Sequence, residues 1–246
     1  MLIQSLSSLA EESKGLQIVA ELDQRVASVV EEFRASPLGQ LLADPNSSAS
    51  LLAATIREIY WEIHCYQPFT TKAGFSMIGG ADPEDRKVMR ILLLHKWEEV
   101  EHRVWALDGF IALGGDPSRI GRENVLISPG AFAVAAIWER LASVLHPLAY
   151  VGAEYLFEDL TARLAKLASE SLIERGLSPQ GLRFIVDHAS EDERHSQLLK
   201  KVIEEVCLRR PEMANEILFA FDCLRQVYPM PLWLASYARA NQSPTS

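Results

Sequence analysis

The sequence predicts an all-α protein, a single helical bundle of about seven helices. Two observations carry this: apolar residues recur at helical spacing almost throughout, and alternating β-branched runs bounded by turn pairs are missing. With 48% hydrophobic and 23% charged residues, the 246-residue chain is ordinary globular protein rather than disordered polymer.

Each element follows from its punctuation. A first helix from about Leu16 to Phe33 ends before Ser36-Pro37 and the loop at Asp44-Pro45. A second starts near Ser50, carries REIYWEIHCY, and stops at Gly79-Gly80. Asp82 as N-cap and Pro83 in the first turn open a third, which runs through HKWEEVEHRVW to Gly114-Gly115. After a Gly/Ser/Asn-rich loop, a helix spans roughly Gly130 to Leu145. Pro147 restarts the chain into Leu148 to Ser171. Ser178-Pro179 opens the next, to about Arg209, and Pro211 opens a last helix that frays near Tyr228-Pro229-Met230-Pro231. No linker divides the chain, so residues 1–246 are expected to form one domain with its core in 50–206 and a mobile tail at 240–246.

The formal charge of −9 argues against a nucleic-acid binder or a surface that docks on anionic lipid. The longest apolar run, Pro129 to Trp138, is cut by Glu139 and Arg140, short of the ~20 residues a membrane span needs. The first residues lack a basic stretch ahead of an apolar one, and three cysteines without CxxC spacing suggest no disulfide scaffold. A cytoplasmic protein is expected.

Chemistry concentrates in two helical stripes. In DHASEDERHSQ, His188, Asp192 and His195 stand at i, i+4 and i+7, an arc of about 60° on one helix face. In HKWEEVEHRVW, His95, Glu99 and His102 repeat that spacing, with Glu99 and His102 forming ExxH. Two further helices add carboxylates one turn apart among apolar residues: Glu154 and Glu158 in GAEYLFED, and Glu58 and Glu62 in REIYWEIHC. A bundle can bring all four stripes together. Buried acids and imidazoles would each cost several kcal/mol without a compensating cation. Carboxylate and imidazole without thiolate suit iron or manganese. A lone ExxH on a charged helix carries little weight; its conjunction with HxxxDxxH and two acidic helices carries much more. His64 is read as a packing residue, Cys65 as buried packing, His146 as a cap at the helix end, and Tyr155 as a residue that borders the site.

With those motifs in their order, the chain resembles the haem-oxygenase-like diiron oxidase and oxygenase superfamily, including its CADD-like branch, and more loosely the TenA and PqqC branches of that fold. The resemblance covers about Ser50 to Val206. It implies two iron ions, with manganese as an alternative, and dioxygen as co-substrate. It places one metal on Glu62, Glu99 and His102 and the other on Glu158, His188, Asp192 and His195, with Glu58 and Glu154 as alternatives to Glu62 and Glu158. It further implies oxidation of a small acid, amine or amino-acid-derived molecule, or of one of the protein's own side chains. A homodimer suits a bundle of this size. Two readings compete: a TenA-like hydrolase of thiamin-related pyrimidines, which needs a cysteine nucleophile in its pocket, and a non-catalytic interaction module, whose His/Asp/Glu stripes would be solvated.

Overall fold

The computed structural model describes residues 2–242, with side chains described for 15–242. Among the described residues there is no strand. The helices are α1 (Leu2–Ala35), α2 (Pro37–Ala43), α3 (Ala49–Gly79), α4 (Arg86–Glu98), α5 (His102–Ala112), α6 (Glu123–Leu126), α7 (Pro129–Val144), α8 (Tyr150–Glu174), α9 (Pro179–Arg209), α10 (Met213–Arg225) and α11 (Met230–Gln242).

Local chemistry sets most of the starts. Ser36, Ser48, Ser128 and Ser178 each accept a hydrogen bond from the backbone N–H three residues on, and proline follows directly at three of these four starts. Asp82 holds the N-cap position of the short 3-10 turn Pro83–Asp85, but its carboxylate pairs with Arg210 and makes no capping bond. His146 caps in the opposite sense to that expected. Its Nδ1 accepts from Leu148 N, so it opens the turn Pro147–Ala149 that leads into α8 and does not close α7.

Helices α8 and α9 form the central antiparallel pair, flanked by α1, α5 and α10, while α3 packs on α5, α7 and α11. Helix α10 lies so close to α8 that a Cβ on Gly152 would stand 1.9 Å from Ile217 O. Only glycine permits that approach. The core runs continuously from Leu22 and Val26 on α1 through Trp61, Trp138 and Tyr150 to Leu232 on α11.

Three expectations are corrected. The chain does not fray at Pro229-Met230-Pro231. It restarts there as α11, whose Leu232 and Ser236 are fully buried and whose packing against α3 outweighs the two prolines. Residues 240–242 of the expected mobile tail are helical, while 243–246 lie outside the described residues. The third helix is also interrupted. Between α4 and α5, Glu99–Glu101 form one 3-10 turn with right-handed helical dihedrals. That turn lies inside the ligand-bearing stripe.

Candidate metal centre

Four buried side chains converge where α4, α8 and α9 meet. His95, Glu99, Glu158 and His195 each present a ligating atom, and these atoms lie within 4.8 Å of one another. His95 Nε2 is 3.1 Å from Glu158 Oε1 and 3.8 Å from Glu99 Oε1. His195 Nδ1 is 3.3 Å from Glu158 Oε2 and 3.4 Å from Glu99 Oε1.

A second set adjoins the first through Glu99. Its other oxygen, Oε2, is 2.5 Å from His102 Nδ1, and that nitrogen is 3.2 Å from His188 Nε2. The 3-10 turn is responsible, because residues i and i+3 eclipse in that geometry and His102 is brought directly over Glu99. Asp192, one turn from both His188 and His195, is buried at the same wall. Glu99 thus turns one oxygen to His95 and His195 and the other to His102.

The outer partners fix the imidazoles. His188 Nδ1 donates to Phe184 O at 2.5 Å, which leaves Nε2 facing the centre. His195 Nε2 meets Glu98 Oε2 at 2.9 Å, and Arg194 holds the same carboxylate at 2.6 Å, so Nδ1 faces inward. Ligating histidines are usually oriented through their second nitrogen in this way.

Electrostatics show what the centre lacks. Burial and the neighbouring Glu158 raise the Glu99 pKa, but the hydrogen bond and charge of His102 and the charge of His95 bring it below the ordinary carboxylate value. Burial opposes ionisation of Glu158 too, and His95 and His195 overcome it. Burial disfavours a charge on His195, yet Glu158, Glu99 and Glu98 hold its pKa up at about 9. Burial and the charge of His102 push His188 down to about 4. Asp192, buried among Glu158, Glu99 and Glu191, is driven well above the ordinary value. Three acids crowd one buried point; the imidazoles that touch two of them can lose their protons, and the Lys96 ammonium nearby is bonded to Glu154.

The polar atoms agree. Glu99 Oε1 and Asp192 Oδ1 are buried and make no hydrogen bond. A buried polar atom left so is costly. Acids, imidazoles and unsatisfied atoms around one point fit a divalent transition metal.

The sequence-predicted residues divide accordingly. Glu99, His102, Glu158, His188, Asp192 and His195 come together. Glu62 does not join them. It is buried, but it accepts from Ser128 Oγ at 2.6 Å and pairs with Arg239 on α11, because it stands about 100° around α3 from the cavity-lining Ile63. Glu58 pairs with Arg119 at 3.2 Å. Helix α3 sends Ile63, Gln67 and Thr70 to the cavity instead. Tyr155 does not border the site. It faces α1 and donates to Asp23 Oδ1 at 2.7 Å. Glu154 is paired with the fully buried Lys96, whose stem crosses Gly74. That lysine stays protonated: burial works against it, and Glu154, Glu99 and Glu158 outweigh burial. His64 packs as expected, bonded to Arg103 O and Glu123.

His95 is the addition. Its i, i+4 relation to Glu99 was visible in the sequence, but the resemblance calls only for ExxH. Lys96 gave no such signal, since nothing local tells a buried lysine from a surface one.

Beside the centre lies a cavity of about 160 Å3. Its wall is mostly apolar, built from residues such as Leu52, Ile56, Phe157, Leu164 and Trp233, and Glu99, His102, His188 and Asp192 stand at its polar part.

Fold and centre together define a haem-oxygenase-like helical protein with a buried histidine and carboxylate cluster. The chain belongs to the family described as iron-containing redox enzyme, which matches residues 84–228 and so includes every residue of the cluster. A domain of unknown function with a heme oxygenase-like fold from Shewanella denitrificans superposes with a TM-score of 0.66 at 20% identity, covering 91% of this chain and 97% of that one. A TenA homolog from Pseudomonas syringae pv. tomato gives 0.62 at 14% identity, covering 93% and 92%. No curated protein matches the chain. Among the described residues no helix is long and apolar enough to cross a membrane.

Proposed function

We propose that the protein is a two-iron oxidase or oxygenase that uses dioxygen to oxidise a small, largely apolar organic molecule bound in the cavity beside the centre. The observation that carries this reading is Glu99, whose two oxygens face two different histidine sets. His95, Glu158 and His195 would hold one ion, His102, His188 and Asp192 the other, and Glu99 would serve both. Bound iron would supply electrons to dioxygen, and manganese would fit the same donors.

The chain's own residues do the rest. Glu98 and the Phe184 carbonyl keep the imidazoles of His195 and His188 in their inward tautomers. The apolar wall excludes water and leaves room for the body of the substrate. Lys96, paired with Glu154 beside the acids, places one positive charge next to the centre.

The TenA-like hydrolase is disfavoured. No cysteine lines the cavity among the described residues, and burial pushes the Cys65 thiol up to about 12. The interaction module is disfavoured by the burial of the stripes. A cytoplasmic setting belongs to the reading and is supported by three cysteines that lack CxxC spacing.

The test is anaerobic loading with Fe(II) and then exposure to O2, with and without candidate acids and amines. The reading expects uptake of two irons per chain and a transient visible absorption on oxygenation. Native-like protein that takes up neither iron nor manganese would overturn it.

A further inference from the structure

The helix that carries His95, Glu99 and His102 inward has an outward face that soluble monomers rarely show. Trp97 is 70% exposed, Leu94 60%, Val104 54%, Val100 41% and Leu93 39%. At roughly 100° per residue these five fall within an arc of about 120° centred on Trp97, opposite the three inward residues. A contiguous apolar stripe of this kind marks a surface that is covered in the working protein.

The same face carries its own complement. A shallow groove formed by Arg86, Met89, Arg90, Leu93 and Leu94 lies at the N-terminal end of the stripe, next to the protruding Trp97. Arg86 and Arg90 are exposed at that end, and Glu101 and Asp108 are exposed at the other. None of these four has an ion-pair partner among the described residues. Knob and groove, base and acid, lie along the continuous α4–α5 segment in reversed order. A two-fold axis that sets two such helices antiparallel therefore matches each feature with its counterpart, as an isologous contact requires.

We propose that the α4–α5 face is the self-association surface of a symmetric homodimer. Trp97 of each copy enters the groove of the other, and Arg90 of each copy meets Glu101 of the other. The contact would stiffen the backbone segment that presents the buried histidines, while the centre stays enclosed within each chain.

The test is sedimentation velocity of the full chain over a dilution series, with circular dichroism to confirm the fold. Wild type is expected to dimerise. Trp97→Glu should raise the dimer Kd by at least about thirtyfold, as loss of a central aromatic anchor does. Arg90→Glu alone and Glu101→Arg alone should each raise it about tenfold or more through like-charge contact. Mixing those two variants one to one should restore association, because each then meets the opposite charge on the other. These exposed charge variants keep the test open even if Trp97→Glu fails to fold. A wild type that stays monomeric would overturn the proposal. So would a dimer indifferent to the substitutions, or a mixture that regains nothing.

Discussion

Two groups of buried carboxylates lie within this bundle, and the protein treats them differently. Glu62, between α3 and α11, meets a guanidinium from Arg239 and a hydroxyl from Ser128. Between α4, α8 and α9, Glu99 and Glu158 meet imidazoles directly with Asp192 buried beside them, and Glu99 and Asp192 each keep a buried oxygen without a hydrogen bond. A guanidinium is a permanent cation with fixed donors, so together with the Ser128 hydroxyl it leaves Glu62 no need of a further cation. Imidazoles can lose their charge and offer lone pairs instead. The first arrangement ties one helix to another, and the second leaves room for a cation from outside. Burial alone did not tell them apart; the chemistry of the partner did.

The largest effect is expected where a fixed pair borders the open set. Lys96→Met leaves Glu154 buried without its cation and should lower stability by about 3–5 kcal/mol. Lys96→Met with Glu154→Leu should recover most of that in a thermal or denaturant melt. If the single variant melts like wild type, the pair is not holding α4 against α8.

Next comes the metal. Glu158→Ala removes a donor shared by His95 and His195 and should weaken Fe(II) binding by more than about 100-fold in a competition titration, beyond what loss of an outer partner does. A smaller loss, of about tenfold, is expected for Glu98→Ala, which frees the outer nitrogen of His195. Equal losses in the two variants would contradict the distinction between donor and support.

Glu62→Gln should instead cost about 2 kcal/mol, the scale of a hydrogen bond to a charged group, and lower Tm by about 5 °C. The smallest effect is in pH. Without metal, His195 holds its proton to about 9 and Asp192 is protonated well above the usual carboxylate range. Both must be deprotonated to bind a cation, so binding releases protons and apparent affinity should rise between about pH 6 and 8. Calorimetry in buffers of different ionisation enthalpy counts those protons; no release would show that these groups are not donors.

The legibility of the site follows the same division. HxxxDxxH and ExxH are periodic within single helices, so their common faces could be read directly, and the bundle followed from apolar periodicity. Glu62 could not be placed that way, because its stripe is shared with apolar residues and its partner Arg239 lies in a helix that two prolines disguised as a frayed end. Tyr155 fails by one residue: Glu154 and Glu158 share a face of α8, and the tyrosine stands about 100° away, toward α1. The 3-10 turn at Glu99 has no sequence mark, yet it aligns His102 with the shared carboxylate. Local spacing reports which side chains share a face. Which face meets which helix is decided by packing.

Iron content decides the central claim most directly. Wild type, Glu62→Gln and Glu158→Ala protein from iron-supplemented cells, loaded anaerobically and freed of loose metal, should be compared by elemental analysis per folded chain. The account predicts about two irons in wild type and in Glu62→Gln, and fewer than about one in Glu158→Ala. Glu62→Gln losing as much iron as Glu158→Ala, or wild type holding none, would contradict it.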